Sequence, residues 1–275
     1  MLSYLHSFHA GNRADLHKHG MVYWLLQQLL KKDKPFTYLD FYAGRGFYDL
    51  TTADSLKTME AKEGVKQVID QPWLDELQGW RDLLKTLNPA GGVRYYPGSP
   101  WLASQYLRSE DKGQFCELHP TEYQGLKRNF AFKLNLHTHQ RNAHEALLGL
   151  LPPSPKRGLA FIDPSYEVKE ECRTLADLIT KSYERWPVGR YMLWYPLLVK
   201  IDYHQAMLKK LAKLPHWCQS EWQWANPNDA TGLYGSGILL INPPWDISAF
   251  CHAWHDQLKR WFPPHSQTRF REQNP

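Results

Sequence analysis

Asp163-Pro164-Ser165-Tyr166 follows the apolar run Gly158-Leu159-Ala160-Phe161-Ile162, which puts a carboxylate, a rigid turn and an aromatic face at one strand tip. An exocyclic amine has its lone pair delocalised into its ring. An enzyme that methylates it must accept hydrogen bonds from the N–H groups, hold the nitrogen against the electrophile and clamp the base by stacking. A strand that merely ends in an Asp-Pro turn has the same four residues. A second tetrapeptide, Asn242-Pro243-Pro244-Trp245, follows Ile238-Leu239-Leu240-Ile241 and fits the loose amino-methylase pattern, Asp/Asn/Ser-Pro-Pro-aromatic, better than the first. The order of strands must decide between them.

Phe36-Thr37-Tyr38-Leu39-Asp40-Phe41-Tyr42 reads as a buried strand, and Ala43-Gly44-Arg45-Gly46 as a tight turn that lets a cofactor approach the backbone. The turn lacks the full G-x-G-x-x-G fingerprint, so it implies no phosphate. Nucleoside-binding sheets need an acidic residue at the tip of the second strand, usually about 20 residues on. The next candidate, Gln114-Phe115-Cys116-Glu117-Leu118-His119, lies much further along, which predicts an insert of about fifty residues. Leu74, Leu77, Leu84 and Leu87 keep helical spacing over 73–87, Asn88-Pro89-Ala90-Gly91-Gly92 closes that helix, and a polar helix over 57–70 precedes it. We read 1–275 as a single domain carrying a helical insertion over 49–95.

Further strands are expected near 114–119, 134–140, 158–163, 190–196, 216–224 and 235–243, with helices between most of them. With 36–42 they make seven. Alternating strands and helices imply an α/β fold with a mostly parallel sheet, and ligands bind beyond the carboxyl ends of such strands. The loop over 226–234 contains no helix, so the last strand runs antiparallel. Asp163 then ends the fourth strand, beside the first, and Asn242 the seventh, away from it.

The 275 residues, 43% of them hydrophobic, can bury a sizeable core, and 12 Trp with 15 Tyr are mostly core side chains. A net charge of +5 permits nucleic acid as partner without requiring it. Basic pairs at Lys31-Lys32, Lys127-Arg128, Lys156-Arg157 and Lys209-Lys210 read first as solvated surface. Cys116, Cys172, Cys218 and Cys251 form no C-x-x-C pair and are read as reduced thiols. No leader and no membrane-spanning run is visible, so a soluble cytoplasmic protein is expected, with a frayed polar tail over 263–275.

His6, His9, His17 and His19 invite a metal reading, but their spacing opposes it and no metal is expected. Val22, Leu25, Leu26 and Leu29 form an apolar helical stripe that docks this histidine-rich arm on the sheet. Tyr4, His6, Lys18 and His19 are placed to line a methyl-donor pocket and the entrance for a nucleic acid.

Ser3-Tyr4-Leu5-His6-Ser7-Phe8-His9-Ala10-Gly11-Asn12-Arg13-Ala14-Asp15 with Lys18-His19, then Tyr38-Leu39-Asp40, Ala43-Gly44 and Gly46, then Arg94-Tyr95-Tyr96-Pro97-Gly98-Ser99-Pro100, Glu117-Leu118-His119-Pro120, Asp163-Pro164, Leu193-Trp194-Tyr195-Pro196 and Ile241-Asn242-Pro243-Pro244-Trp245, together resemble the RlmJ family of bacterial 23S ribosomal RNA adenine-N6 methyltransferases. The resemblance spans nearly the whole chain. It implies a Rossmann-like class I methyltransferase with a helical insert, which uses S-adenosylmethionine to methylate N6 of one adenine in 23S ribosomal RNA. It places donor-binding roles on His19, Tyr42, Gly44, Ser99, Glu117, Asn142, Ala143 and Asp163, and the amine-acceptor role on Asp163 with Pro164 and Tyr166. Apart from the resemblance, the position of the arm beside the first strand assigns Tyr4, His6 and Lys18 to RNA. This chain departs from the family in having Ser165 for Pro, Tyr42 for His and Asn142-Ala143 for Asp-Gly. Asn142 lacks the acceptor-only character of a carboxylate, which touches donor affinity more than chemistry.

On this reading the adenine swings out of the RNA at a cost of a few kcal/mol, and stacking on Tyr166 returns roughly 1–3 kcal/mol. The Asp163 carboxylate and Pro164 carbonyl accept the two N6 hydrogens and aim the lone pair at the donor methyl. The substrate is expected to be naked RNA or an assembly intermediate, and the protein a monomer. A DNA-adenine or protein-glutamine methyltransferase of the same fold, and a noncatalytic RNA-binding module, remain open alternatives.

Overall fold

The computed structural model describes residues 5–166, 169–199, 203–228, 230 and 232–273. The chain divides into two compact units, Met1–Ala143 and His144–Pro275.

The first unit opens on α1 (Arg13–Leu30), whose N-terminus is fixed by Asn12: its side-chain oxygen accepts the Asp15 N–H at 2.8 Å. The apolar stripe predicted for this helix is buried, and so is nearly everything else on its first four turns. After it come β1 (Thr37–Asp40), β2 (Phe47–Asp49), α2 (Ala53–Thr58), α3 (Val65–Val68), α4 (Gln78–Leu87), β3 (Tyr95–Pro97), α5 (Ser99–Ser104), β4 (Lys112–Glu117), α6 (Pro120–Phe130) and β5 (Leu136–Gln140). β4 lies between β1 and β5, parallel to both, with Asp40 opposite Phe115 and Glu117 opposite Gln140. β2 and β3 form a separate antiparallel pair, Phe47 opposite Pro97, so the stretch between them leaves and returns at neighbouring points. That geometry lets a long excursion be accommodated at small entropic cost.

Within the excursion the helix expected over 57–70 is broken. It comprises α2, a 3-10 turn (Glu60–Glu63) and α3, because Met59 takes a left-handed φ of 55° and Gly64 is pressed against the backbone of the arm. A Cβ on Gly64 would sit 2.2 Å from the Gly11 carbonyl oxygen, and the Val65 N–H donates to that oxygen at 2.8 Å. The second helix begins as a 3-10 turn (Asp75–Leu77) before α4, with Leu77, Trp80 and Leu84 buried. Asn88 closes the return: its side-chain oxygen accepts the Arg94 and Tyr95 N–H groups, both at 2.8 Å.

The second unit contains α7 (Ala143–Gly149), β6 (Gly158–Ile162), α8 (Lys169–Arg185), β7 (Arg190–Leu198), α9 (Tyr203–Leu211), β8 (Trp217–Gln223), β9 (Leu233–Ile241), α10 (Ile247–Trp261) and β10 (Gln267–Glu272). Its strands run in the order β6-β7-β9-β8-β10, the first pair parallel and the rest antiparallel. β6 is buried at every position, as a strand covered on both faces must be.

Two further expectations are corrected. The main-sheet strands number eight, three in the first unit and five in the second, not seven. The extra strand is β10, in the tail expected to fray: all six of its residues pair with β8, and the buried Trp222 indole donates to Ser266 at 2.6 Å. Deleting residues 265–275 is therefore expected to lower unfolding free energy in urea by about 2–4 kcal/mol, a few ladder hydrogen bonds at about 1 kcal/mol each plus the uncovered indole. A frayed tail would leave the midpoint unchanged.

Candidate active site

The tips of β1 and β4 are joined through one side chain. After β1 the chain turns through Gly44 and Gly46, whose φ values of 58° and 81° are left-handed and favour glycine. Glu117, ending β4, accepts the Gly44 N–H at 2.8 Å on one carboxylate oxygen and the His119 N–H at 2.6 Å on the other. Burial raises the Glu117 carboxyl above the usual carboxylate range, and those two N–H groups pull it partly back. A half-buried carboxylate is thereby held at a strand tip with lone pairs left to accept from a ligand diol. Gly44 is also crowded from the other side, since an added Cβ would lie 2.3 Å from the Tyr48 hydroxyl.

Tyr48 and Tyr96, paired across β2 and β3, carry the connection to the N-terminal arm. The His6 ring meets Tyr48 edge-on at 5.2 Å. His19 Nδ1 lies 2.7 Å from the Tyr96 hydroxyl with the two rings stacked at 5.7 Å. Behind them sits Asp15, fully buried in the first turn of α1. Its carboxylate accepts the Gly11 N–H at 2.7 Å, lies 3.1 Å from His6 Nε2 and pairs with Lys18 Nζ at 3.0 Å. Burial opposes the Asp15 charge, but His6, Lys18 and His19 together hold its carboxyl well below the usual range. Burial drives His19 the other way, to about 3, so this imidazole stays neutral at ordinary pH.

In the second unit the two competing tetrapeptides differ in what their first residue does. Asn242 takes a left-handed φ of 56°, and its side-chain amide donates to the Pro187 and Gly189 carbonyls at 2.8 and 2.7 Å. It is a clamp between the end of β9 and the turn before β7, and Trp245 beside it is 94% exposed. Asp163 is half-buried at the end of β6, and Pro164 is buried. Tyr166 has a left-handed φ of 57°, donates its hydroxyl proton to the Trp194 carbonyl at 2.6 Å and meets the Trp194 ring edge-on at 5.9 Å. The ring is thus fixed at the tip of β6 by β7.

The family described as Ribosomal RNA large subunit methyltransferase D, RlmJ, matches residues 33–271. Over 252 residues the chain is 38% identical to Ribosomal RNA large subunit methyltransferase J of Escherichia coli K12, covering 90% of this chain and 89% of that protein. The Haemophilus influenzae protein of the same name is 37% identical over 256 residues, with the same coverage. The chain belongs to the RlmJ family. A crystal structure of protein LPL1258 from Legionella pneumophila superposes with a TM-score of 0.89 at 35% identity, covering 95% of this chain and 97% of that one.

Among the positions to which the sequence gave roles, His6, Lys18, His19, Gly44 and Glu117 fall in one connected network of the first unit. Tyr42 is half-buried, with its N–H 3.3 Å from an Asp40 carboxylate oxygen. Ser99 is buried at the start of α5, Asn142 is half-buried and Ala143 is buried. Tyr4 lies outside the described residues. Sequence reasoning missed Asp15, Tyr48 and Tyr96, which join the arm to the glycine turn. It also missed the pairing of Arg45 with the buried Glu122, where Nε donates to both carboxylate oxygens at 3.0 and 3.1 Å. Asn12 followed three residues later by Asp15 was the available signal for the first, since an acidic residue at that offset from a cap marks a helix start.

The neutral imidazole has a consequence for acid stability. Between pH 6.5 and about 3 the unfolded chain binds a proton at His19 that the folded chain does not, so stability falls as pH is lowered through this window. Asp15, depressed in the fold, adds a further loss below the normal carboxylate range. Urea unfolding of His19→Gln across pH 7 to 4 is expected to show a shallower decline than the parent chain. Parallel slopes would mean that His19 is protonated in the fold.

Proposed function

We propose that this chain is an S-adenosylmethionine-dependent methyltransferase that methylates the exocyclic N6 of one adenine in 23S ribosomal RNA. Membership of the RlmJ family supports the reaction class. The observation that carries the residue assignment is the contrast between Asn242, whose amide is taken up by two backbone carbonyls, and Asp163, which ends the fully buried β6 beside a fixed aromatic ring.

The donor, when bound, supplies an electrophilic methyl on a sulfonium. The Gly44 turn and the Glu117 carboxylate fit it: the turn brings backbone close, and the carboxylate can accept from the ribose hydroxyls. His19, Tyr42, Ser99, Asn142, Ala143 and Asp163 complete the proposed donor site, and Asn142 offers an amide where the family has a carboxylate. Asp163 and the Pro164 carbonyl accept the two N6 hydrogens of the flipped adenine, leaving its lone pair directed at the methyl. Tyr166 supplies the stacking face. Asp163 acts mainly by position and charge, since a carboxylate is a weak base toward a neutral amine; once the methyl has moved, the N6 cation gives up its proton to Asp163 or to water. The arm, with Tyr4 and His6, grips the RNA around the flipped base, while Lys18, expected to meet RNA, is buried and paired with Asp15 and so holds the arm in place; the insertion over 49–95 widens the footprint. Residues 1–275 act as a single, monomeric, cytoplasmic methyltransferase domain on naked RNA or an assembly intermediate. No helix among the described residues is long and apolar enough to cross a membrane.

Two measurements test the assignment. Asp163→Ala is expected to abolish methyl transfer to ribosomal RNA while donor binding falls only modestly, because Glu117, the Gly44 turn and the other donor-site groups remain, whereas Asn242→Ala is expected to lower thermal stability and keep most of the turnover of its folded fraction. The reverse pattern refutes the choice of tetrapeptide. Glu117→Ala is expected to weaken donor binding by about 1–3 kcal/mol in calorimetry, the range for an unpaired buried polar partner. Unaltered affinity there places the ribose contact elsewhere.

A further inference from the structure

The two faces of β8 have opposite surroundings. Cys218, Ser220 and Trp222 are buried, with Ser220 Oγ 2.7 Å from His255 Nε2 of α10. Gln219, Glu221 and Gln223 alternate with them and line a cleft of about 460 Å³. Across the ladder, Arg269 stands opposite Glu221 and Arg271 opposite Gln219, so β10 adds two guanidinium groups to the same face. Both arginines are exposed, about 7 Å apart along the strand, and neither has a carboxylate within ion-pair distance among the described residues.

The floor of this cleft is built to hold its polar groups still. Tyr195 of β7 reaches across β9, its hydroxyl donating to Glu221 at 2.9 Å, while the Gln219 amide donates to the same carboxylate at 3.0 Å. This crossing requires Gly237, because a Cβ there would lie 2.1 Å from the Tyr195 ring. His204 of α9 stacks on that ring at 5.3 Å and forms a wall. The β7–β9 ladder shifts register between Leu197 and Leu198, next to Tyr234, whose side chain also lines the cleft. Bulges re-aim side chains in this way.

We propose that this face is a second RNA-binding subsite, which takes a single-stranded segment of the ribosomal RNA substrate. Arg269 and Arg271 contact its phosphates, Tyr234 stacks a base, and the amides of Gln219, held by Glu221, and of Gln223 meet base edges. An open antiparallel sheet face bearing cations and an aromatic ring is a recurrent platform for single strands. The inference rests on the reading of the chain as a ribosomal RNA methyltransferase. The competing account is that the arginines only guard an edge strand against pairing with another chain.

The test is binding of protein-free large-subunit ribosomal RNA over a range of salt, alongside donor calorimetry and urea unfolding. R269Q/R271Q is expected to weaken RNA binding and to reduce the slope of log affinity against log salt by about 1.4, near 0.7 for each single-strand phosphate contact, with donor affinity and stability unchanged. R269K/R271K is expected to recover most of that slope, and Tyr234→Ala to weaken binding with the slope kept. Full RNA affinity and an unchanged slope in R269Q/R271Q overturn the subsite while wild-type turnover leaves the enzymatic reading standing. If that variant does not fold, Tyr234→Ala decides, and unchanged RNA affinity there overturns the proposal. A wild-type chain that neither binds nor methylates ribosomal RNA overturns both.

Discussion

The Glu117 carboxylate sets the terms for the first unit. It must stand at the tip of β4 in a partly desolvated place, and it does so because two backbone N–H groups are aimed at it. One belongs to Gly44, whose left-handed conformation and contact with Tyr48 leave no room for a side chain. From that single requirement follow the turn after β1, the placing of Tyr48 on β2, and through the β2–β3 pair the placing of Tyr96 against His19. The long helical excursion leaves and returns at this frame and is also fastened to the arm, through the Val65 N–H on the Gly11 carbonyl and Glu60 on His9 and Asn12.

Asp15 plays the corresponding role for the arm. A helix buried on most of its circumference normally carries few polar residues, yet α1 buries Asp15, His17, Lys18 and His19. Charges in such a place persist only when paired and hydrogen-bonded. The Asp15 carboxylate gathers the Gly11 N–H, His6 and Lys18, so the arm is fastened to the helix that follows it. Removing one partner would leave an uncompensated buried charge, at a cost of about 3–5 kcal/mol. His6 and Lys18, expected from the arm's position to meet RNA, are therefore structural, and their substitution must be read against a stability control.

The strands β6 and β9 were legible because most of their residues are buried and they contain long apolar runs with turn residues at their ends; β1 is buried throughout although it carries Thr37 and Asp40, and β4, with an exposed Lys112 and half-buried Gln114 and Glu117, was legible only through its short apolar centre and its acidic tip. The break between Gly44 and Glu117 was legible as a missing strand at the usual distance. β10 was not, because Gln-Thr-Arg-Phe-Arg-Glu is an edge strand with a polar, exposed face, and such a strand reads as a solvated tail. The helix at 57–70 failed for a different reason: the contact of Gly64 with Gly11 is tertiary, and local propensity contains no trace of it. The choice between Asp163 and Asn242 was argued from strand order. The geometry adds a reason that order lacks, since the Asn242 amide is occupied by the Pro187 and Gly189 carbonyls.

Methylation of an adenine amine in ribosomal RNA is the central claim, and the most direct measurement is the position of the methyl group itself. Large-subunit ribosomal RNA from cells lacking this protein, incubated with the purified chain and isotopically labelled S-adenosylmethionine, can be digested and mapped by mass spectrometry. The account predicts label in N6-methyladenine at one nucleotide of 23S ribosomal RNA, a modification missing from the RNA before incubation. Label on another atom or base, or label confined to duplex DNA or to a glutamine side chain in parallel reactions, would contradict it.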